Sequence, residues 1–284
     1  MYQKEVGIVG TGLLGMAIAE RFSQQGYHVV GFDVDSSRRQ QLSNLGCLAT
    51  ESLQELTEHC RRIVFSLPNS DVVSGVVDEL HDRAGRVKFI IDTTTGDPET
   101  TVAVARRLAR QGIGYLDATV AGSSEQTRHG DIVVMVGGEP QHVEQCQDIL
   151  DALARHVFLL GAPGSGATMK LIVNLVLGLN RAVLAEGLSL AKKSGVDLSK
   201  ALEVLKSGAA YSKAMDIKGD KMINEDFAPQ ARLSQHLKDV ELILSLAKQR
   251  DASVPLSSTH RTLLQQAERL GFGNMDNSAI IKSF

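Results

Sequence analysis

Val6-Gly-Ile-Val-Gly10-Thr-Gly12-Leu-Leu-Gly15, then Met16, Ala17, Ala19 and Phe22, then His28-Val-Val-Gly-Phe-Asp33: this stretch decides how the chain is read. The first apolar run is a short strand. The apolar residues after Gly15 recur at helical spacing and stop near Gly26. A second strand follows and ends on an acid, 18 positions after Gly15. Strand, G-x-G-x-x-G, helix, strand and terminal acid together form a dinucleotide-binding fingerprint, far more specific than the glycine triplet alone. Gly10 permits the tight turn, Gly12 lets the backbone approach a pyrophosphate, and Gly15 lets the helix pack closely on the strand. Thr11, Leu13 and Leu14 complete the loop. The helix N-terminus beyond it offers backbone N–H groups to phosphate.

Asp33 bears on which nicotinamide cofactor is used. A carboxylate here accepts hydrogen bonds from the adenosine ribose and repels a 2′-phosphate. Two unit charges about 4 Å apart at an effective dielectric near 20 interact by roughly 4 kcal/mol. Half of that favours NAD over NADP by about tenfold or more. Arg38 and Arg39 weaken this preference if they swing toward a phosphate, but they read as solvated residues at a helix start.

Outward from this unit the alternation continues. Ser52-Leu-Gln-Glu55 is a capping box. Strands are expected at Arg62 to Leu67, Lys88 to Asp92, Gly114 to Asp117, Ile132 to Val136 and His156 to Leu160. Helices are expected at Asp71 to His81, Glu99 to Arg110 and Gln141 to Ala154. Repeated strand–helix units imply a largely parallel, doubly wound sheet of Rossmann type. Ligands bind such sheets beyond the carboxyl ends of the strands. The turns at Leu67-Pro68, Thr93 to Thr95 and Ala118 to Ser124 lie there.

From Gly164 to Lys193 the pattern changes to one long helix, interrupted only by the isolated glycines Gly178 and Gly187. It is apolar on nearly all faces, which predicts a buried helix packed on several sides. No uninterrupted apolar run approaches the roughly 18 residues of a membrane span. Lys170 and Asn174, four apart, project from one face of it. Beyond it strand signals vanish. Ser199 to Lys206, Gln230 to Lys248 and Val254 to Leu270 read as amphipathic helices, and the tail from Gly271 as turns and a weakly apolar end. Residues 1–163 are therefore expected to form an α/β nucleotide-binding domain. Residues 164–284 are expected to form an all-α domain, with the long helix joining the two.

The 284 residues allow two moderate domains, and 43% hydrophobic with 22% charged residues is ordinary for a globular chain. A net charge of −3 gives no push toward nucleic acid or an anionic membrane. Cys47, Cys60 and Cys146 are too few and too scattered for a disulfide framework or a zinc knuckle. They fit a reducing, cytoplasmic setting, and no signal or transit peptide is expected ahead of the first strand. The eight histidines show no metal-binding spacing, so they read as structural or surface residues.

The motifs together resemble the β-hydroxyacid dehydrogenase family, which includes 3-hydroxyisobutyrate dehydrogenase and tartronate semialdehyde reductase. The likeness covers essentially the whole chain. Leu67-Pro68-Asn69 is similar to the family's leucine-proline turn beside the nicotinamide. Asp92-Thr-Thr-Thr95-Gly-Asp-Pro98 is similar to its D-x-S-T-x-x-P, with Thr95 as the threonine near the nicotinamide. Gly164-x-Gly166-x-x-x-Lys170-x-x-x-Asn174 matches the segment with the catalytic lysine and substrate-binding asparagine. Leu237-Lys238-Asp239 matches the pair whose lysine reaches the active site. The ending Asp276-Asn-Ser-Ala-Ile-Ile-Lys282 resembles members acting on sugar acids, threonate-type dehydrogenases among them. One motif departs. The family's D-x-P-V-S-G-G stands here as Asp117-Ala-Thr119-Val-Ala121-Gly122-Ser123, so the serine that binds the substrate carboxylate is Ala121. Backbone N–H groups of Gly122 and Ser123, or hydroxyls of Thr119, Ser123 or Ser124, are left to replace it.

The resemblance implies hydride transfer between a small 3-hydroxy acid and NAD, and a homodimer or homotetramer. Lys170 is expected as general acid/base and Asn174 as a substrate contact, with Lys238 near substrate and cofactor and no metal. A free lysine titrates at about 10.4, so burial and a neighbouring cation, Lys238, would have to lower it. Asp239 reads as a capping or pairing residue. Two alternatives are a non-enzymatic nucleotide-binding protein of the same fold, and a reductase of a non-carboxylate substrate such as an imine. Retention of Lys170, Asn174 and Lys238 argues against the first, and Lys170 argues against the second.

Overall fold

The computed structural model describes residues 4–80 and 84–284. In chain order the elements are β1 (Glu5–Val9), α1 (Leu13–Gln24), β2 (His28–Phe32), α2 (Ser36–Asn44), β3 (Leu48–Ala49), α3 (Leu53–His59), β4 (Arg62–Phe65), α4 (Ser70–Leu80), β5 (Phe89–Asp92) and α5 (Pro98–Ala109). They continue with β6 (Gly114–Ala121), α6 (Ser124–His129), β7 (Val133–Gly137), α7 (Pro140–Leu153), β8 (His156–Gly161) and α8 (Ser165–Lys193). Helices α9 (Leu198–Ser207), α10 (Lys213–Ile223), α11 (Leu233–Gln249) and α12 (Pro255–Ala267) follow. A π-helical turn (Glu268–Phe272) and a 3-10 helix (Asn277–Ser283) end the chain. The expected helix to His81 agrees through Leu80, and His81 itself lies outside the described residues.

Among the described residues eight strands form one sheet, in the order β3-β2-β1-β4-β5-β6-β7-β8. Neighbours from β3 to β6 are parallel, β7 runs antiparallel to β6, and β8 is parallel to β7. Alternation along each central strand feeds two cores. Val6, Ile8, Val64, Ile91 and Leu116 join one cluster with Ile18, Phe22 and Leu150. Val9, Ile63, Phe65, Ile90 and Tyr115 join the other with Leu56, Val77 and Leu108. Burial on both faces explains why these strands read as unbroken apolar runs.

Two compact units divide the chain, Met1–Lys170 and Leu171–Phe284. The division falls inside α8, later than the expected boundary at residue 163, because the first turn of α8 is bonded to β6. Asp117 Oδ1 accepts the Gly164 N–H and Oδ2 the Ala167 N–H, each at 2.8 Å. The second unit has its own core of Ala182, Leu184, Leu188, Met222, Leu233, Val240 and Ile280.

Four readings are corrected. Strand β6 runs to Ala121, four residues beyond the expected end at Asp117, because pairing with β7 holds Ala118 to Ala121 in the sheet. The short β3, α6 and α10 have no signal strong enough to be read from sequence. The tail, expected as turns and a weakly apolar end, closes on a 3-10 helix, with Asp276, Asn277, Ser278, Ala279 and Ile280 buried. Helix α8 is not covered all round. Leu171, Leu184, Ala185 and Leu188 are buried, but Ile172, Val176, Val183 and Leu190 form an exposed stripe, with Val183 66% and Leu190 67% accessible.

Candidate active site

The glycine loop is built as its spacing requires. Gly10 has φ +88°, and a Cβ there would lie 2.4 Å from the Ser66 carbonyl oxygen. A Cβ on Gly15 would lie 1.9 Å from the Gly10 carbonyl oxygen, so only glycine lets α1 start this close to β1. Gly12 caps α1 in extended geometry without any side-chain hydrogen bond to the first turn, leaving those N–H groups for a ligand. Leu13 is exposed at the loop tip, whereas Leu14 packs on the core. Beside Thr11, Gly12 and Leu13 opens a cavity of about 450 Å³ whose far wall includes Ser37 and Arg38. The uncapped helix start, the glycine cradle and this cavity fit the pyrophosphate and adenosine of a dinucleotide.

Asp33 is buried at the end of β2, where Oδ2 accepts the Thr11 N–H at 2.7 Å and Oδ1 accepts the Asp35 N–H at 2.9 Å. Arg38 Nη1 stands 3.7 Å from Asp33 Oδ2, and Arg39 donates to the Asp33 carbonyl oxygen at 3.0 Å and pairs with Glu51 at 2.7 Å. The expectation of solvated arginines at a helix start holds for Arg38, whose side chain is 48% exposed, and is corrected for Arg39, at 17%. Arg39 braces the β2–α2 turn, and Arg38 lines the cavity and partly offsets the Asp33 charge.

Two of the expected strand-end turns, Leu67-Pro68 and Thr93 to Thr95, meet beside this loop. Gly10 abuts Ser66 and Leu67. The Leu67 N–H donates to Thr94 Oγ1 at 3.1 Å, and Thr93 Oγ1 donates to the Phe65 carbonyl oxygen at 2.7 Å. Thr94 thus ties the Leu67-Pro68 turn to the Thr93–Thr95 turn, while Thr95 beside it is half-buried. Below lies a buried polar layer. Asp92 accepts from the Thr94 N–H and the Tyr115 hydroxyl, the latter at 2.7 Å, and it is the register partner of Asp117. Burial pushes the Asp92 carboxyl up to about 6, against the pull of these donors, and also raises Asp117.

The Asp117–Ser123 segment shows what remains where the family serine is Ala121. Ser123 caps α6 in a full capping box: its N–H donates to Gln126 Oε1 at 2.9 Å, and its Oγ accepts the Gln126 N–H at 3.1 Å. The Thr119 hydroxyl donates to the Gly166 carbonyl oxygen at 2.9 Å. Of the groups expected to replace that serine, the Ser123 N–H and the Thr119 hydroxyl are thus engaged within the protein.

In the second unit a polar stripe runs along α8. Asn174, Gly178 and Arg181, spaced by four and three, share one buried face. Asn174 Nδ2 donates to Asp239 Oδ2 at 3.0 Å, while Lys238 next to it is half-buried. Gly178 makes room for His236 and His260, whose rings meet at a tilt of 51° with centroids 5.2 Å apart. Arg181 Nη2 lies 3.5 Å from His236 Nε2. Burial lowers Arg181 to about 10, and burial together with Arg181 lowers His260 to about 4. These histidines are structural. Asp117, Tyr115, Thr94 and Arg181 were given no role by the sequence reading. For Asp117 the available signal is its place as the first residue of the variant substrate motif.

Comparison with known proteins places this geometry. A family model described as the NAD binding domain of 6-phosphogluconate dehydrogenase matches residues 5–161. A second, described as NAD-binding of NADP-dependent 3-hydroxyisobutyrate dehydrogenase, matches residues 164–284. The chain is 29% identical to glyoxylate/succinic semialdehyde reductase 1 of Arabidopsis thaliana, over 98% of each chain. It is 27% identical to L-threonate dehydrogenase of Cupriavidus necator, over 99% of this chain and 96% of that one. The solved 3-hydroxyisobutyrate dehydrogenase of Salmonella typhimurium superposes with a TM-score of 0.89 at 27% identity, covering 99% of both chains.

Proposed function

The chain belongs to the β-hydroxyacid dehydrogenase family, and on that premise we propose that it interconverts a small 3-hydroxy acid and its aldehyde or ketone, with Lys170 as general acid/base. The substrate we propose is of the 3-hydroxyisobutyrate, glycerate or threonate type, with NAD preferred over NADP. That the enzyme is an NAD(P)-dependent oxidoreductase acting on CH–OH follows from the family itself. The nicotinamide cofactor, when bound, supplies the hydride chemistry. The protein's own task is to orient the alcohol and move its proton. As the carbinol carbon is oxidised, Lys170 Nζ takes the hydroxyl proton, and in the reverse direction it returns it.

The observation that carries this reading is the placement of Lys170 and Asn174 one turn apart on α8, with the Asn174 amide held by Asp239. One N–H of the amide is occupied, so its carbonyl oxygen and second N–H remain for the substrate. The Gly122 N–H and Ser123 hydroxyl are proposed for the carboxylate, in place of the serine absent at Ala121. The exposed stripe Ile172, Val176, Val183 and Leu190 supports a homo-oligomer, because a stripe of this length is rarely left to water.

The test is NADH formation from NAD with 3-hydroxyisobutyrate, glycerate, threonate and their homologues. Turnover on one of these classes is expected. Binding of NADH with no turnover on any hydroxy acid, aldehyde or imine would instead favour a nucleotide-binding protein without this activity.

A further inference from the structure

The start of α8 is held by a latch from β6. Asp117 accepts the N–H groups of Gly164 and Ala167, both at 2.8 Å, and so takes two of the donors that the first turn of a helix leaves unpaired. Thr119, two residues along and on the same strand face, donates its hydroxyl to the Gly166 carbonyl oxygen at 2.9 Å. Both side chains are buried, Asp117 at 2% exposure and Thr119 at 0%.

The surrounding glycines exist to let this latch close. A Cβ on Gly137 would lie 2.5 Å from Asp117 Oδ1, and one on Gly166 would lie 2.5 Å from the carbonyl oxygens of both Asp117 and Met135. Gly164 has φ +95°. A buried carboxylate is costly without donors, so this constellation is a built feature. Thr119 is also where the family motif has proline, a residue that cannot make the hydroxyl bond. This chain therefore carries one more tie than the motif provides.

We propose that Asp117 and Thr119 are positioning residues for the reaction: through the first turn of α8 they set where Lys170 stands. The inference rests on the reading of Lys170 as general acid/base. Ala167 is three residues before Lys170. Gly166 is four before it, so its carbonyl is the one an α-helix pairs with the Lys170 N–H. A shift of the first turn is thereby passed directly to the lysine, and misplacing a reacting group by about 1 Å can cost about a hundredfold in rate.

The test compares wild type, Thr119→Val, Thr119→Ser and Asp117→Asn, with Lys170→Ala as a control. Turnover is expressed per NADH-binding site, beside the Kd for NADH and the melting temperature. Thr119→Val is expected to lower kcat by about three- to tenfold and Asp117→Asn by about ten- to a hundredfold, the range for neutral and charged hydrogen bonds. The Kd for NADH should stay within about twofold, because the glycine loop is untouched, and Thr119→Ser should restore kcat. If Asp117→Asn does not fold, Thr119→Val and its rescue decide the matter. Unchanged kcat per NADH site with only a lower melting temperature would overturn the proposal and leave the latch purely structural. An active Lys170→Ala would instead remove the reading on which the proposal rests, a result separable from the first.

Discussion

Asn174 and Asp239 join α8 to α11 by a hydrogen bond of 3.0 Å from amide nitrogen to carboxylate oxygen, one turn beyond Lys170. Asn174 is buried, so this bond fixes which atoms of its amide are available to a ligand. Asp239→Ala should raise KM for the hydroxy acid by about ten- to a hundredfold, as expected for losing a charge-assisted hydrogen bond. KM for NAD should change little. Steady-state kinetics with each substrate varied in turn checks this, and an unchanged hydroxy-acid KM would remove Asp239 as a support of Asn174.

Cofactor choice should respond to Asp33. Asp33→Asn keeps an acceptor for the Thr11 N–H but removes the charge facing a 2′-phosphate. The ratio of kcat/KM for NADP over NAD should rise by about tenfold or more. Arg38→Gln in the wild-type background should lower whatever NADP activity exists, because Arg38 lines the cavity beside Asp33. Ratios that do not move in either variant would place the discrimination elsewhere.

The C-terminal tail should make the protein acid-sensitive. Burial works to raise Asp276, but hydrogen bonds from Lys218 Nζ (2.9 Å to each oxygen), from Ser278 and from the Gln230 N–H bring its carboxyl down from 3.8 to about 2. A carboxyl depressed in the folded state contributes stability above its unfolded pKa and loses it as pH falls through the folded one. The shift corresponds to about 2 kcal/mol, complete above about pH 4 and lost toward about pH 2. Urea unfolding between these limits should show the decline. At neutral pH Asp276→Asn should cost about 3–5 kcal/mol, because the buried Lys218 loses its carboxylate and keeps only the neutral Gln230 Oε1 at 3.1 Å.

The exposed side of α8 should be an interface. Val183→Glu and Leu190→Glu place charges in the apolar stripe without touching the core residues Leu184 and Leu188. Both variants should sediment as smaller species than wild type, and a wild-type chain that is monomeric at micromolar concentration would contradict the homo-oligomer.

How much of this was legible in the sequence depends on how local the cause was. The glycine loop, Asp33 and the strand alternation act over a few residues, so their spacing alone carries the sheet and the dinucleotide site. The long helix was equally plain, because its period is continuous. Its buried and exposed faces were not, since apolar residues occupy both and only packing distinguishes them. The Asp117 latch spans 47 residues and depends on close approach at Gly137 and Gly166, which no local pattern encodes. The same holds for Thr94, which acts from beside the expected Thr95, and for Arg181, which reads as an interruption of an apolar helix until His236 and His260 are seen against it.

The most direct measurement is turnover of Lys170→Ala beside wild type on whichever hydroxy acid the wild type oxidises, with NADH binding measured on both. Loss of about a hundredfold or more in kcat, the scale of positioned general acid–base catalysis, is expected with NADH binding intact. A variant that binds NADH and turns over at the wild-type rate would contradict the assignment of Lys170 as the acid/base.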